Sequence, residues 1–346
     1  MQKRGTCVTT DGGETVVVGS GAWGVAIASS VAAGGRRVSL LCRTVAEADA
    51  LVRAGESPRH VGCMLPRTLA PTGQRSIVRD ADVVVLAVPA QSMRANISAI
   101  ADHLDPAAAL VVASKGLELG TCLRMTEVVQ AEAGGAGRIL ALSGPNLAAE
   151  VMARKPAASV VAGTSAAVAA RVQLRLGTGT WRLYVNHDVI GVELGGALKN
   201  VVAVAAGISD GLGFGENARA ALVTRGLWEI TRLVVRMGGD GRTLAGLAGL
   251  GDLVATCGSP LSRNRTLGLR LAAGEHLSDV LAGATSVAEG VPTTRAAVTL
   301  AARADVELPI ASVLSKVFDG ALTALEGAAL LVGRAPGHEF GAEDYP

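Results

Sequence analysis

The spacing of apolar residues changes near residue 188. Before it, short β-branched or aliphatic runs alternate with Ala-rich segments. After it, long segments carry apolar residues at helical spacing and no strand signal. The first half opens with Thr15-Val16-Val17-Val18, a run suited to a strand buried on both faces. A glycine-rich turn and an Ala/Val-rich helical segment to Ala33 follow. Further strands are expected at Val38–Cys42, Val83–Val88, Leu110–Ala113 and Ile139–Leu142, and two more at Ser159–Ala162 and Trp181–Val185. Helices are expected around Val45–Arg53, over Gln91–His103, after Thr121 and, briefly, after Asn146. The stretch Gly55–Gly73 reads as a loop region. This alternation predicts an α/β domain over 14–188 with a mostly parallel sheet. Asn186-His187-Asp188 reads as the hinge to an all-helical domain over 189–333. Residues 1–13 read as a flexible N-terminus and 334–346 as a mobile tail.

Val192–Ile208 is the segment around which the second half is arranged. It is apolar almost all round, the mark of a buried helix, except for the adjacent pair Lys199 and Asn200. The helical neighbours of Lys199 are Gly195, Gly196, Val202 and Ala203, all small or slender. Two mid-helix glycines cost roughly 1 kcal/mol each against alanine. The reading is that they leave room for a ligand beside the lysine. A lysine held among apolar groups has its pKa lowered and suits proton transfer near neutral pH. The alternative is a lysine that snorkels to water. Another helix is expected at Ala218–Met237. Leu244–Cys257 carries Asp252 as its only charge, and a lone carboxylate is costly to bury unless paired. Lys199 is the expected partner. Ser262, Arg263, Asn264 and Arg265 open a further helix and form an anion-site candidate, ordinary capping being the alternative. Glu289 begins another turn-and-helix unit, and Pro309 punctuates the next.

Composition narrows the class. Hydrophobic residues are 49% of the 346 and aromatics 2%, so the cores are aliphatic. A formal charge of +2 argues against a nucleic-acid partner. Five cysteines without a C-x-x-C pair suit a reducing, cytosolic compartment and neither a disulfide framework nor a zinc site. No His/Cys/carboxylate cluster has metal-ligand spacing, and His187 has no nearby nucleophile. Thr15–Gly35 is uncharged and long enough to mimic a membrane span. Its glycines, and Asp11 and Glu14 before it, argue for a buried strand, turn and helix, with no integral membrane segment.

The turn is Gly19-Ser20-Gly21-Ala22-Trp23-Gly24, strand before and helix after. Gly19 suits the tight turn, Gly21 the close approach of a pyrophosphate, and Gly24 close helix–strand packing, a dinucleotide-binding pattern. The alternative for such a turn is a tight βα connection with no ligand. Arg43 follows the second strand, where an acidic residue would read the adenine ribose. Its planar fork suits a 2′-phosphate, so NADPH is expected to serve at least as well as NADH. Lys115 ends its strand on the same edge as the glycine turn.

These motifs resemble the bacterial NAD(P)-dependent glycerol-3-phosphate dehydrogenases from about Thr15 to Gly333. The resemblance rests on G-S-G-A-W-G, S-K-G-L-E, S-G-P, V-E-L-G-G-A-L-K-N-V, S-D-G-L-G-F-G-x-N-A-R-A-A-L-x-T-R-G, G-L-G-D-L, S-R-N-R and V-x-E-G. It implies a Rossmann-type N-terminal domain, an all-α C-terminal domain like that of 6-phosphogluconate dehydrogenase, and an active site between them. It implies reversible hydride transfer between NAD(P)H and dihydroxyacetone phosphate, giving sn-glycerol 3-phosphate for glycerophospholipid synthesis in the cytoplasm. Carried over, Lys199 is the proton acceptor and donor, with Asp252 beside it. Lys115, Gly144, Asn146, Ser262, Arg263 and Asn264 contact substrate. Ala22, Trp23, Arg43, Lys115, Ala148, Arg263, Val287 and Glu289 line the cofactor site. A homodimer is common in the family. Asn146, Leu147 and Ala149 depart from its usual pattern after S-G-P.

Two other readings compete. Related β-hydroxyacid dehydrogenases place an asparagine one helical turn after the lysine, whereas here Asn200 is adjacent and position 203 is Ala. A non-catalytic nucleotide sensor predicts decay of the reactive positions, yet Lys199, Asp252 and Arg263 are all present.

Overall fold

The computed structural model describes residues 13–283, 288–335 and 339. The reading of the chain's first twelve residues, most of the tail and Val287 lies outside the described residues. Eight strands form one sheet: β1 Glu14–Val18, β2 Val38–Leu41, β3 Leu69–Thr72, β4 Ala81–Leu86, β5 Ala109–Val112, β6 Ile139–Ser143, β7 Ala157–Ala162 and β8 Trp181–Asn186. Their order is β3-β2-β1-β4-β5-β6-β7-β8. The ladders are parallel except where β7 pairs antiparallel with β6. The helices of this half are α1 Ala22–Ala33, α2 Val45–Ala54, α3 Met93–Ser98, α4 Met125–Ala133, α5 Ala148–Met152 and α6 Ala166–Leu176. Aliphatic side chains fill both faces of the sheet, as its β-branched runs require.

The strand order reverses between β1 and β4, which opens a crevice at their carboxyl ends. The glycine turn lies there. Gly19 has φ +110°. A Cβ on Gly24 would stand 1.9 Å from the Gly19 carbonyl oxygen, so only glycine lets α1 start so close to β1.

Three parts of the first half differ from the sequence reading. The supposed loop 55–73 ends in β3, a four-residue edge strand whose Pro71 and Thr72 interrupt any apolar run. The expected helix Gln91–His103 is broken into a 3-10 turn, α3 and a second 3-10 turn. There the Asn96 amide donates to the Ser92 carbonyl at 2.8 Å and the Ser92 hydroxyl donates to that of Pro89 at 2.9 Å, local bonds that compete with a continuous helix. Helix α6, between β7 and β8, was not anticipated.

The second half contains α7 Val189–Gly211, α8 Gly215–Arg236, α9 Gly241–Leu244, a π-helical turn Leu247–Gly251, α10 Asp252–Gly258, α11 Arg263–Ala272, α12 Leu277–Ala282, α13 Gly290–Arg303, α14 Pro309–Phe318 and α15 Ala324–Val332. Helix α7 is long and apolar enough to cross a membrane, but 83% of that window is buried in the fold. It is the core helix around which the others pack. Its crossing with α11 is close. A Cβ on Gly207 would meet the Arg265 carbonyl oxygen at 2.0 Å, and one on Gly268 that of Val204 at 2.1 Å.

Helix α7 is also fixed to the sheet half. Asp188 caps it, accepting from the Gly191 amide at 2.8 Å. Glu193 accepts from the Arg124 guanidinium at 2.6 Å and from the Thr126 amide at 2.8 Å. Burial holds the Glu193 carboxyl above its ordinary range, and Arg124 and Thr126 oppose that.

Candidate active site

Lys199 sits in the middle of α7, 7% exposed. It does not snorkel. Its ammonium donates to Asp252 Oδ1, and to Thr256 Oγ1 at 2.7 Å. Asp252 is 1% exposed and opens α10 directly after the π-helical turn. Its other oxygen, Oδ2, accepts from Lys115 Nζ at 2.6 Å. Lys115 lies just after β5 and also donates to the Gly144 carbonyl at 2.9 Å. Thus three segments distant in sequence place two cations on one carboxylate. The lone charge of the apolar stretch has its expected partner, and a second one from the sheet.

Burial pushes the Lys199 pKa down to about 8; Asp252 opposes the shift and the nearby Lys115 adds to it. An ammonium has three donors. Lys199 uses one on Asp252 and one on Thr256, which leaves one for an oxygen arriving from the site.

The flanking glycines serve packing rather than a ligand, contrary to the sequence reading. A Cβ on Gly195 would stand 2.8 Å from the Ala248 carbonyl oxygen, and one on Gly196 would stand 2.3 Å from Ser143 Oγ. They let the π-helical turn and the end of β6 close on α7. Thr256 was missed, although it lies one helical turn after Asp252 on the same face.

The start of α11 divides its work. Ser262 is its N-cap and accepts from the Arg265 amide at 3.3 Å. Asn264 is buried; it donates to Asn200 Oδ1 at 2.8 Å and accepts from the Gly290 amide at 3.0 Å. It therefore joins α7, α11 and α13. Arg263 is exposed and makes no hydrogen bond with any described residue. Burial of part of its side chain lowers the guanidinium pKa; Glu289 opposes that and Arg59 adds to it.

Asn146 is tied into the sheet. Its amide donates to the Ala158 carbonyl at 3.1 Å, and its oxygen accepts from Ser159 at 2.6 Å. Gly144 has φ +145°, and a Cβ there would crowd the Ala158 carbonyl oxygen at 2.9 Å. Ala148 begins α5 and packs, half-buried, against the sheet-half core.

The crevice fits a dinucleotide. Helix α1 begins at Ala22 with no side-chain cap on its first amides, and among the described residues, Gly21's chain neighbours aside, no atom lies within 4 Å of where a Gly21 Cβ would be. That is the arrangement an anionic pyrophosphate uses. Five buried polar atoms lack a partner among the described residues, and Trp23 Nε1, Glu289 Oε2 and Thr293 Oγ1 are three of them; the other two are Ser29 Oγ and Arg171 Nε. Glu289 reaches the same crevice from the helical half, accepting from the Ala90 amide at 3.0 Å after β4. Burial raises its pKa, against the Ala90 amide and Arg263. Arg43 is exposed beyond β2, and its backbone amide donates to Glu47 at 3.3 Å. Among the described residues no group of His, Cys, Asp and Glu is arranged to hold a metal ion.

Comparison with known proteins gives the family. Residues 14–169 match the family described as NAD-dependent glycerol-3-phosphate dehydrogenase N-terminus, and residues 188–328 match its C-terminus. The chain is 47% identical over 327 residues to a glycerol-3-phosphate dehydrogenase, NAD(P)+, of Parafrankia sp., covering 94% of this chain and 98% of that one. It is 43% identical over 321 residues to the second such enzyme of Mycobacterium tuberculosis, covering 92% and 96%. The crystal structure of glycerol-3-phosphate dehydrogenase from Coxiella burnetii superposes with a TM-score of 0.89 at 34% identity, covering 93% of this chain and 99% of that one. With its two halves matched in order and a paired lysine buried between them, the chain belongs to the NAD-dependent glycerol-3-phosphate dehydrogenase family of oxidoreductases.

Proposed function

We propose that Lys199 moves the proton at the C2 oxygen as dihydroxyacetone phosphate and sn-glycerol 3-phosphate interconvert, with NADP or NAD as the redox partner. The observation that carries this role is the buried ammonium with one donor to spare. The bound nicotinamide supplies or takes the hydride at C2. Protonated Lys199 gives its proton to the oxygen during reduction, and neutral Lys199 takes it back during oxidation. Asp252 holds the lysine in place and, with Lys115, leaves the cluster one positive charge in excess while both lysines are charged. That excess favours an oxygen carrying developing negative charge.

The phosphate falls to Arg263, whose guanidinium is uncommitted among the described residues, at the N-terminus of α11. Ser262 and Asn264 fix that helix start, and Gly144 and Asn146 shape the opposite wall. Ala22, Trp23, Arg43, Ala148 and Glu289 form the cofactor site. We place the domain boundary at 188–189, where Asp188 caps α7. We also propose a cytoplasmic homodimer that supplies glycerophospholipid synthesis.

The test uses purified protein with NADPH or NADH. Dihydroxyacetone phosphate should oxidise the cofactor, and dihydroxyacetone should do so with kcat/KM lower by about tenfold or more, since a hydrogen bond to a charged group contributes about 1.5 to 3 kcal/mol. Equal turnover of both would contradict the phosphate site.

A further inference from the structure

We propose that Glu47 is a specificity-determining residue that biases the enzyme between NADH and NADPH; this rests on the cofactor placement above. Glu47 lies in the first turn of α2, where the Thr44 hydroxyl accepts from its amide at 3.1 Å. The side chain folds back towards the sheet. Oε1 accepts from the Ser20 hydroxyl at 2.7 Å, and Oε2 from the Arg43 amide at 3.3 Å. Ser20 stands between the first two glycines of the phosphate-binding turn. The amide of Gly19 donates to the Leu41 carbonyl at 2.9 Å, so the turn and the end of β2 are neighbours. The carboxylate therefore stands at the carboxyl end of β2 against the glycine turn. A sheet of this topology meets the adenosine ribose there.

Sequence position hides this. The acidic residue that commonly reads the ribose follows the strand directly, and that position here is Arg43. Glu47 comes four residues later, and the start of α2 turns it back onto the same spot.

The chemistry opposes the two side chains. A ribose 2′-hydroxyl donates well to a carboxylate. A 2′-phosphate offers acceptors only and adds negative charge. Two donors within its reach, the Ser20 hydroxyl and the Arg43 amide, already serve Glu47. The Arg43 guanidinium makes no hydrogen bond with a described residue and attracts the phosphate. Arg43 thus favours NADPH and Glu47 favours NADH, which suits a site that takes either.

The test is equilibrium binding of NADPH and NADH by titration calorimetry, without the second substrate, for wild type, Glu47→Gln and Arg43→Ala. Glutamine keeps an acceptor for Ser20 and removes the charge. Glu47→Gln should tighten NADPH on the order of tenfold at low salt and change NADH by no more than about threefold, with the gain shrinking at high salt. Arg43→Ala should move the ratio of the two constants the other way. The NADPH to NADH ratio of kcat/KM should follow. An unchanged ratio in Glu47→Gln, or an equal loss for both cofactors, would overturn the assignment and leave Glu47 as a helix-capping clamp. A wild type that binds neither nucleotide would overturn the cofactor site and this assignment together.

Discussion

Lys199 and Arg263 are both cations of the helical half, and the fold treats them in opposite ways. Lys199 is buried and bonded to Asp252 and Thr256. Arg263 is exposed and bonded to no described residue. Burial of a charge disfavours the charged form, and for Lys199 that cost outweighs the attraction of Asp252. The lysine thus gains a proton it can release near neutral pH. A guanidinium keeps its charge throughout the physiological range and presents a fork that fits phosphate. One cation is built to change charge and the other to hold it. Asn264 keeps them in register, since it ties Arg263's helix start to Asn200, the residue after Lys199.

That contrast is broken most strongly at the lysine. Lys199→Ala should lower kcat on the order of 10²- to 10⁴-fold, the range for a lost general acid or base, with little change in cofactor binding. A folded variant within a few-fold of wild type would remove Lys199 from the chemistry. Arg263→Ala should act on binding instead. KM for dihydroxyacetone phosphate should rise roughly ten- to a hundred-fold, the equivalent of about 1.5 to 3 kcal/mol for a charged hydrogen bond. KM for NADPH is measured alongside; if that alone moves, Arg263 serves the cofactor and not the substrate phosphate.

Much of this contrast was legible in the sequence. The glycine turn could be read because its requirements are local and steric, as Gly19 and Gly24 show. The pairing of Asp252 followed from a single carboxylate in an apolar run. The second partner, Lys115, did not, because it arrives from the sheet half. Gly195 and Gly196 were noticed for the right reason, their cost in a helix, but their compensation is contact with Ala248 and Ser143. Only the folded chain brings those segments together. Asn146 reaches into β7 for the same reason, and no local pattern announces Ser159 as its neighbour. β3 escaped because a short edge strand with a proline lacks the apolar run that marks a buried one.

The central claim is that Lys199 changes charge near pH 8 because it is buried, with Lys115 adding to that shift and Asp252 opposing it. The direct test is the pH dependence of kcat for both directions of the reaction. Reduction needs the protonated lysine, so its rate should fall as pH rises through about 8. Oxidation needs the neutral lysine, so its rate should rise through the same pH. Mirrored limbs near 8 are the predicted result. Limbs that run in the same sense, or that stay flat up to the ordinary lysine value of 10.5, would contradict the account.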